Sequence, residues 1–329
     1  MDDMYGIGFD IGGTKCAVSL GLIDGGSLKI LSRSEYPTAG GPGPCLARAT
    51  SLVEAALASA GIGRGQLGAI GISCGGPLDL ERGLVLSPPN LGGWDGVEVV
   101  EHFRGLCDRV VLQNDANASA LAEWRYGAGR GLDSLVFLTF GTGLGAGIIL
   151  GGRLWSGASG MAGELGHIRL ADFGPVGYGK TGSFEGFCSG GGIAQLARIK
   201  VAERLQRGET VSLCAEPGGL DALDAKTVAE AARRGDSLAI EILELSGTYL
   251  GRGLSILVDL LNPEAIILGG IFMRCEDFLR PAMEGVLARE SLGRSLEACR
   301  IMPAGLGERV GDYAALAVAF HGRDGGRAS

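Results

Sequence analysis

Short apolar segments separated by polar or glycine-rich turns dominate the first third of the chain. Residues 5–10, 16–20 and 28–36 predict three strands, with a tight turn at 11–14 between the first two. Apolar positions at helical spacing predict a helix over residues 42–60, which Gly61 ends. A hairpin followed by alternating strands and helices is therefore expected, which is typical of an α/β protein.

The alternation continues along the rest of the chain and contains an internal repeat. Further strands are predicted at 67–73, 110–113 and 265–268, helices at 97–107, 116–126, 191–207, 225–234, 238–261, 277–288 and 310–320, and a surface loop at 208–219. Residues 7–14 and 136–143 share one pattern: an apolar strand, a polar residue (Asp10 or Thr139), a glycine-rich turn and a second apolar strand. This repeat predicts a duplicated domain.

Composition and charge narrow the class of protein. The chain has 329 residues, enough for two domains, and 60 of them are glycine, against an ordinary share of about 7%. No Gly-x-y period accompanies the glycines, which excludes collagen. The net charge of −8 disfavours nucleic acid and anionic membranes as partners.

The cysteines and one uncharged segment indicate the cellular compartment of the protein and whether it is expected to cross a membrane. Eight cysteines without a Cys-x-x-Cys pair, and no signal peptide before Met4, predict reduced thiols in a cytoplasmic protein. Residues 134–152 carry no charge, but they contain six glycines, which suit a turn between strands better than a membrane-spanning helix. No membrane partner is expected.

Two glycine-rich turns point to phosphate binding. In Asp10-Ile-Gly-Gly-Thr14, the glycines let backbone amides approach an anion, the threonine adds a hydroxyl donor, and the carboxylate suits Mg²⁺ beside a phosphate. The structural alternative is a glycine hairpin with a capping aspartate. Gly141-Thr-Gly-Leu-Gly145 does not fit a dinucleotide fingerprint, because its third glycine is displaced and no helix follows. Facing each other, the two turns would clamp one polyphosphate.

Asn114-Asp115 stands where a predicted strand runs into a predicted helix. Asn and Asp are favoured at helix N-caps, so a purely structural role is one interpretation. The other is chemical, since a carboxylate at that position can accept a proton from a substrate hydroxyl while Asn114 hydrogen-bonds a neighbouring hydroxyl. The residues alone leave both open.

Two further segments carry candidate binding groups. Glu164, His167 and Glu185 form an acceptor-rich set suited to a polyol, and zinc is disfavoured there because only Cys188 lies near as a soft ligand. Residues 262–270 predict a buried strand that ends in Gly269-Gly270, where a flat ring could approach the backbone. The alternative for the second segment is that the two glycines only end the strand and begin a turn, without a binding role.

Taken together and in this order along the chain, the segments described above resemble the motifs of the ROK family (repressors, unidentified reading frames and sugar kinases). The residues that carry the resemblance are 10–15, 74–77, 89–94, 114–115, 141–147, 163–167, Glu185 and 261–270. The resemblance covers nearly the whole chain and implies two actin-like (ribonuclease H-like) α/β lobes, with mixed sheets flanked by helices and a central cleft. Residues 1–115 with 310–323 would form the small lobe, and 116–309 the large one.

The resemblance implies an ATP-dependent hexose kinase that uses Mg²⁺, most simply a glucokinase, assembled as a homodimer. Asp115 is the implied catalytic base. The implied sugar-binding residues are Gly76, Asn90, Asn114, Asp115, Glu164, His167 and Glu185, and the implied ATP-binding residues are Asp10, Gly12, Gly13, Thr14, Lys15, Thr139, Gly141, Thr142, Gly143, Gly269 and Gly270. Asp10 would hold Mg²⁺ through ATP. An N-acetylhexosamine kinase, fructokinase or allose kinase of the same family is the alternative.

One segment departs from the family pattern. Where the family usually shows the cysteines of a structural zinc site, residues 177–185 read Gly-Tyr-Gly-Lys-Thr-Gly-Ser-Phe-Glu. The segment is one residue shorter, and of that motif only Glu185 is retained. We therefore expect no zinc, and we expect packing by Tyr178 and Phe184 to hold the loop instead.

Two other classes of protein remain as alternatives. A sugar-responsive repressor of this family would carry a helix-turn-helix ahead of Asp10, for which the chain leaves no room, and its phosphate loops would tend to be lost. A non-catalytic polyol-binding protein would leave Asp115 without a role. ATP turnover in the presence of sugar separates the kinase from both.

Overall fold

The computed structural model describes residues 4–214 and 217–321, which fall into two compact units. The first unit comprises 4–133, 147–162 and 305–321, and the second comprises 134–146 and 163–304 without residues 215 and 216. Each unit contains both strands and helices, which confirms the predicted α/β class. No helix within the described residues is both long and apolar enough to cross a membrane.

The elements have these bounds. The strands are β1 Met4–Ile11, β2 Lys15–Asp24, β3 Ser27–Pro37, β4 Leu67–Cys74, β5 Leu78–Asp79, β6 Leu84–Leu86, β7 Asp95–Val97, β8 Val110–Asn114, β9 Leu135–Phe140, β10 Leu144–Leu150, β11 Arg153–Leu154, β12 Val176–Gly177, β13 Lys180–Thr181, β14 Ala265–Leu268 and β15 Arg300–Pro303. The α-helices are α1 Pro42–Ala60, α2 Val99–Arg104, α3 Asp115–Tyr126, α4 Phe184–Cys188, α5 Gly190–Gln206, α6 Ala225–Arg233, α7 Ser237–Leu261, α8 Ile271–Glu290, α9 Gly293–Ala298 and α10 Val310–Phe320.

The first unit is built on one mixed sheet with the strand order β3-β2-β1-β4-β8. Strands β1, β2 and β3 form an antiparallel meander, whereas β1, β4 and β8 run parallel to one another. Helix α10 packs against β1 and β4, where Leu316 and Phe320 join a buried apolar cluster with Ala69. The parallel strands therefore present their carboxyl ends along one edge of the sheet.

The second unit contains parallel strands packed with long helices. Strand β14 pairs in parallel with β9 on one side and with β15 on the other, and all four of its residues are buried. Helices α7 and α8 pack along each other and bury large apolar side chains such as Leu250 and Met283. The carboxyl ends of β9 and β14 lie side by side, as those of β1 and β4 do in the first unit.

Most predicted elements are confirmed to within one or two residues at each end, and three differ more: the predicted strand 16–20 is Lys15–Asp24, and two predicted helices also differ. Helices 42–60 and 310–320 and strand 265–268 have the predicted bounds. The predicted helix 97–107 is only Val99–Arg104, because Val97 pairs with Val85 in a small sheet. The predicted helix 277–288 extends over Ile271–Glu290 and contains Pro281. Of the predicted segments 208–219 and 310–323, residues 215, 216, 322 and 323 lie outside the described part of the chain.

Candidate functional site

Polar residues gather at the carboxyl edge of the first sheet. Asp10, near the end of β1, is in register with Ser73 of β4, and Cys74 of β4 is in register with Asn114, the last residue of β8. Ligand sites in α/β sheets form outside the carboxyl ends of parallel strands. The first unit thus brings Asp10 and the Asn114-Asp115 pair to one edge.

The loop at residues 12–14 connects β1 to β2 and is tied in place by its neighbours. The Gly12 N–H donates to the Lys15 carbonyl (3.1 Å), and its own carbonyl accepts from the Thr38 hydroxyl (2.6 Å). The Thr38 N–H donates to the Thr14 carbonyl (2.9 Å). On the other side the loop packs against Asn90, since a Cβ on Gly13 would lie 2.8 Å from the Asn90 carbonyl oxygen. This packing places Asn90 beside the glycine loop.

Lys15 follows this loop at the start of β2, and its side chain is exposed. Its Nζ forms an ion pair with Glu35 (2.9 Å) on the neighbouring strand β3. Contact with a phosphate would therefore require the lysine to exchange this carboxylate for the ligand.

Asp10 is a half-buried carboxylate in an acidic environment. Burial is the main cause that raises the pKa of Asp10 to about 7, and the charges of Asp115 and Asp312 act in the same direction. A hydrogen bond from Ser73 and the charge of Arg33 lower the pKa but do not offset burial. The Asp10 carboxylate offers the oxygen ligand that Mg²⁺ prefers, and Mg²⁺ usually takes one or two protein carboxylates together with phosphates of the substrate. Asp10 therefore fits a Mg²⁺ ion that it would share with a bound phosphate.

Asp10 should make the unliganded protein less stable as the pH rises. Its pKa is higher in the folded state than in the unfolded chain, so between about pH 4 and 7 the folded state binds more protons and stability falls with rising pH. We expect Asp10→Asn to remove this loss, so its stability gain over the wild type should grow from pH 4 to pH 7. Urea unfolding at a series of pH values measures it.

The matched control is Asp24→Asn. Asp24 ends β2, and the hydrogen bond from Lys29 lowers its pKa, so its substitution should give no gain that grows with pH. A gain for Asp10→Asn that does not vary between pH 4 and 7 would show that the Asp10 carboxylate is not desolvated.

Asn114 and Asp115 have different positions at the start of α3. Asn114 is the N-cap, since its Oδ1 accepts from the Ala116 N–H (3.0 Å), which supports the structural interpretation for this residue. Asp115 is the first helical residue, and its Oδ1 accepts from the same N–H (2.8 Å). Its Oδ2 faces Gly75, and Gly76 lies against the Asn114 side-chain amide. The small loop after β4 thus leaves one carboxylate oxygen of Asp115 open to a substrate.

The surrounding protein raises the pKa of Asp115, although part of its side chain is exposed to solvent. Burial in the surrounding protein raises its pKa, while the Ala116 and Asp115 backbone N–H groups and the Asn114 side chain lower it. A raised pKa is what general-base chemistry near neutral pH requires of a carboxylate. Solvent at the exposed side chain limits how far this shift can go.

The second glycine loop, residues 141–143, lies between β9 and β10 in the second unit. Its Gly141 N–H donates to the Gly143 carbonyl (3.0 Å). Two N–H groups at the start of α5 also donate hydrogen bonds to this loop. The Gly190 N–H donates to the Gly141 carbonyl (2.9 Å), and the Gly191 N–H donates to the Thr142 carbonyl (3.4 Å). The first turn of α5 therefore holds this loop in place through the loop's carbonyl groups. The run Ser189-Gly-Gly-Gly192 at the head of a predicted helix was the signal that sequence analysis missed.

Gly269 and Gly270 lie beside the same loop. The Gly269 N–H donates to the Leu138 carbonyl (3.0 Å) of β9. Gly270 has a φ of +62°, and a Cβ there would be 1.9 Å from the Phe140 carbonyl oxygen, so only glycine fits. Thr139, half-buried on β9, lies between these two contacts. The second unit thus brings Thr139, the loop at 141–143 and the Gly269-Gly270 pair together.

Glu164, His167 and Glu185 come from two segments that pack on the start of β10. Glu185 Oε2 accepts from the Leu144 N–H (3.0 Å). The turn at 164–167 runs against the same strand, because a Cβ on Gly166 would lie 2.3 Å from the Leu144 carbonyl oxygen and 3.2 Å from the Glu185 Cβ. Glu164 and His167 are exposed, and Glu185 is half-buried. The polar set predicted from the sequence is therefore assembled within the second unit.

A short hairpin, β12 and β13, holds His167 in place. Lys180 Nζ donates to the His167 carbonyl (2.7 Å), and Arg169 Nη1 donates to the Thr181 carbonyl (2.7 Å). Phe184 is buried, as expected, and Tyr178, although 72% exposed in the hairpin turn, makes a T-shaped ring contact with His167 (6.3 Å between centroids). The lysine makes the closer contact with His167.

No group of three or more His, Cys, Asp or Glu side chains within residues 4–214 and 217–321 is arranged to hold a metal ion. The expected lack of structural zinc stays a prediction. Elemental analysis of the purified, dialysed protein should find less than one zinc per chain, and one tightly held zinc per chain would contradict the expectation.

The sequence of this chain is similar to those of known proteins over most of its length. A model of the ROK family matches residues 6–321. The glucokinase of Streptomyces coelicolor is 36% identical over 268 residues, which are 80% of this chain and 81% of that protein. An N-acetylmannosamine kinase of Escherichia coli is 33% identical over 290 residues, or 87% and 89% of the two chains.

Solved structures of the same family share the fold. A ROK family glucokinase from Streptomyces griseus, in complex with glucose and AMPPNP, superposes with a TM-score of 0.74 at 32% identity and covers 97% of this chain and 100% of its own. A ROK family transcriptional regulator, a homologue of the E. coli MLC protein, gives 0.81 at 26% identity over 96% and 77% of the two chains. With a family model over 6–321 and a relative above 30% identity, this chain belongs to the ROK family.

Proposed function

We propose that this protein is an ATP-dependent hexose kinase with glucose as its acceptor. The observation that carries the proposal is the edge of the first sheet, where Asp115 lies exposed at the start of α3 while Asp10 and a glycine loop lie at the end of β1. A base for a sugar hydroxyl and a site for a metal-bound phosphate are the two requirements of phosphoryl transfer. The likeness to glucokinases supports glucose as the acceptor.

In the proposed reaction, Asp115 Oδ2 accepts the proton of the 6-hydroxyl as that oxygen attacks the γ-phosphorus of ATP. The bond between the γ-phosphorus and the β–γ bridging oxygen breaks, and ADP leaves. Mg²⁺ held beside Asp10 would neutralise charge on the phosphates. The amides and hydroxyls of the two glycine loops would stabilise the remaining charge. The proposed ATP-binding residues are Asp10, Gly12, Gly13, Thr14, Lys15, Thr139, Gly141, Thr142, Gly143, Gly269 and Gly270, and the proposed sugar-binding residues are Gly76, Asn90, Asn114, Asp115, Glu164, His167 and Glu185.

A coupled assay with ATP, Mg²⁺ and a panel of sugars tests this proposal. We expect the highest kcat/KM with glucose among glucose, mannose, fructose, allose, N-acetylglucosamine and N-acetylmannosamine. The E. coli relative supports N-acetylhexosamines as the alternative, and a preference for N-acetylmannosamine would overturn glucose but not the kinase. Turnover with none of the sugars, in protein that binds sugar by calorimetry, would favour a regulator or a binding protein.

Lys180 is expected to position His167 for the sugar. Its Nζ donates a hydrogen bond to the His167 carbonyl, and the loss of a hydrogen bond from a charged donor costs up to about 3 kcal/mol. We expect Lys180→Met to raise the KM for sugar by roughly 3- to 10-fold, with a smaller change in kcat and in the KM for ATP.

Lys226→Met is the matched control, because Lys226 is exposed on α6 and makes only a 3.9 Å ion pair with Glu230. Equal KM values for Lys180→Met and the wild type would mean that the hairpin holds His167 without the lysine.

A homodimer and a cytoplasmic location are also proposed, each from one observation. Leu260, at the end of α7, is 74% exposed, and Leu292, whose N–H donates to Asp259 (3.0 Å), is 67% exposed. This exposed apolar pair supports a homodimer, which sedimentation analysis would detect. The eight cysteines, all within the described residues, form no disulfide bonds, which supports a cytoplasmic location.

A further inference from the structure

Two buried cysteine side chains of the first unit are in direct contact. Cys16 lies on β2, two residues after the glycine loop, and Cys45 lies in the first turn of α1. Their sulfur atoms are 3.4 Å apart, and the residues are 0% and 2% exposed. A pair of thiols at this distance needs an approach of about 1.4 Å to reach the length of a disulfide bond.

Side chains at and just after the end of β3 contact the two sulfurs. Thr38 Oγ1 is 3.2 Å from Cys16 Sγ, and the Tyr36 hydroxyl is 3.5 Å from Cys45 Sγ while it donates to the Cys45 carbonyl (2.9 Å). Both covering residues are half-buried. A small oxidant that reaches the pair would therefore have to pass these two partly exposed side chains.

The two thiols are not equivalent. The hydrogen bond from Cys16 lowers the pKa of Cys45 to about 7, whereas the same contact and burial raise the pKa of Cys16. The thiolate is the form that attacks an oxidant. Cys45 also lies in the first turn of α1, where the helix dipole favours a thiolate, so Cys45 is the attacking sulfur and Cys16 is the thiol that resolves the product.

We propose that Cys16 and Cys45 form an oxidation site in which hydrogen peroxide converts the two thiols to a disulfide. The Cys45 thiolate attacks one peroxide oxygen, the O–O bond breaks, and the departing hydroxide takes up a proton as water. The Cys16 sulfur then attacks the sulfenic sulfur of Cys45 as its proton passes to the leaving hydroxyl, so the S–O bond breaks and a second water leaves. Two thiols are oxidised by two electrons and one peroxide is reduced to two waters.

The first turn of α1 is the part that must move. Cys16 is paired on both sides in the sheet, with Ile11 of β1 and Tyr36 of β3. Helix α1 instead begins without a side-chain cap, after Gly40 and Gly41 at φ near +80°. Closing the S–S bond therefore pulls α1 towards the sheet.

This movement reaches the glycine loop through Thr38. The Thr38 side chain contacts the Cys16 sulfur and donates to the Gly12 carbonyl (2.6 Å), and its N–H donates to the Thr14 carbonyl (2.9 Å). If the loop binds ATP, as proposed above, oxidation should weaken ATP binding. Formation of the disulfide itself does not depend on that role.

Peptide mapping without reductant tests the site directly. Trypsin releases residues 16–29 and 34–48, each of which contains one cysteine. After treatment of the full-length protein with hydrogen peroxide, we expect these two peptides linked, with the loss of two hydrogens and recovery of both free peptides in dithiothreitol. The KM for ATP should rise several-fold in the oxidised protein and return on reduction.

Two variants complete the test. Cys45→Ser should give no linked peptide and an ATP KM that peroxide does not change, whereas Cys299→Ser, on a cysteine outside the pair, should respond as the wild type does. Peroxide-treated folded protein with free peptides 16–29 and 34–48, or with Cys45 carried only to its sulfinic form, would overturn the site. A linked peptide with an unchanged ATP KM would keep the site and overturn its coupling to the loop.

Discussion

Replacing Asp115 with asparagine is expected to lower kcat by about 10² or more, because general-base catalysis is typically worth that much. Asparagine keeps an oxygen that can accept the Ala116 N–H, so the start of α3 should be preserved. The KM for sugar should stay near the wild-type value, since the loss is one of proton acceptance and not of binding. Steady-state kinetics with saturating ATP and Mg²⁺ measures both quantities.

Asp108→Asn provides the comparison for this variant. Asp108 is exposed two residues before β8, at the amino end of the strand whose carboxyl end leads to Asp115, and its substitution should leave kcat unchanged. A kcat for Asp115→Asn within a few-fold of the wild type would reduce Asp115 to a residue of the helix start. The proposed reaction would then lack its base.

A second large effect is expected from Glu123, a carboxylate with 0% exposure in the last turn of α3. Its Oε2 accepts from the N–H groups of Ala128 (2.8 Å) and Gly305 (3.0 Å), and its Oε1 accepts from that of Leu306 (2.9 Å). Glu123→Ala would leave three backbone donors without this acceptor at a cost of about 1–3 kcal/mol each. We expect the free energy of unfolding to fall by at least ~3 kcal/mol.

Urea or thermal unfolding of three variants measures this effect. Glu123→Gln should fall between the wild type and Glu123→Ala, because one amide oxygen can still accept while the NH₂ group opposes a backbone N–H. Glu101→Ala, on the exposed face of α2, should change stability by less than about 0.5 kcal/mol. Equal stabilities for Glu123→Ala and Glu101→Ala would show that the three donors find water or other acceptors.

The fold was predictable wherever local signals and packing agree. Helix α1 has the predicted bounds because Pro42 suits the first turn and Gly61 adopts the left-handed conformation that ends it (φ +69°). Helix α2 was predicted too long because Val97, apolar and at helical spacing, is taken by a strand pairing with Val85. Partners distant in sequence decide such ends, and periodicity does not record them.

The candidate site was predictable as a set of segments and not as a set of contacts. Asp10 and Asp115 were found because each lies where a predicted strand runs into a turn or a helix, and the register of β1, β4 and β8 then brings them to one edge. The pairing of Lys15 with Glu35 and the support of His167 by Lys180 depend on side-chain reach across a hairpin. Glu123 had no signal at all, since a charged residue on a helix is usually solvated.

The discontinuous path of the first unit has a consequence for biosynthesis. Its sheet is complete by β8, but α10, residues 310–320, covers β1 and β4 with Leu316 and Phe320, and Glu123 accepts from the backbone at 305 and 306. On the ribosome this apolar sheet face stays uncovered until α10 has emerged, whereas almost all of the second unit is synthesised earlier as the continuous stretch 163–304. The nascent chain therefore carries an exposed sheet face, a natural client for chaperones, through most of its translation.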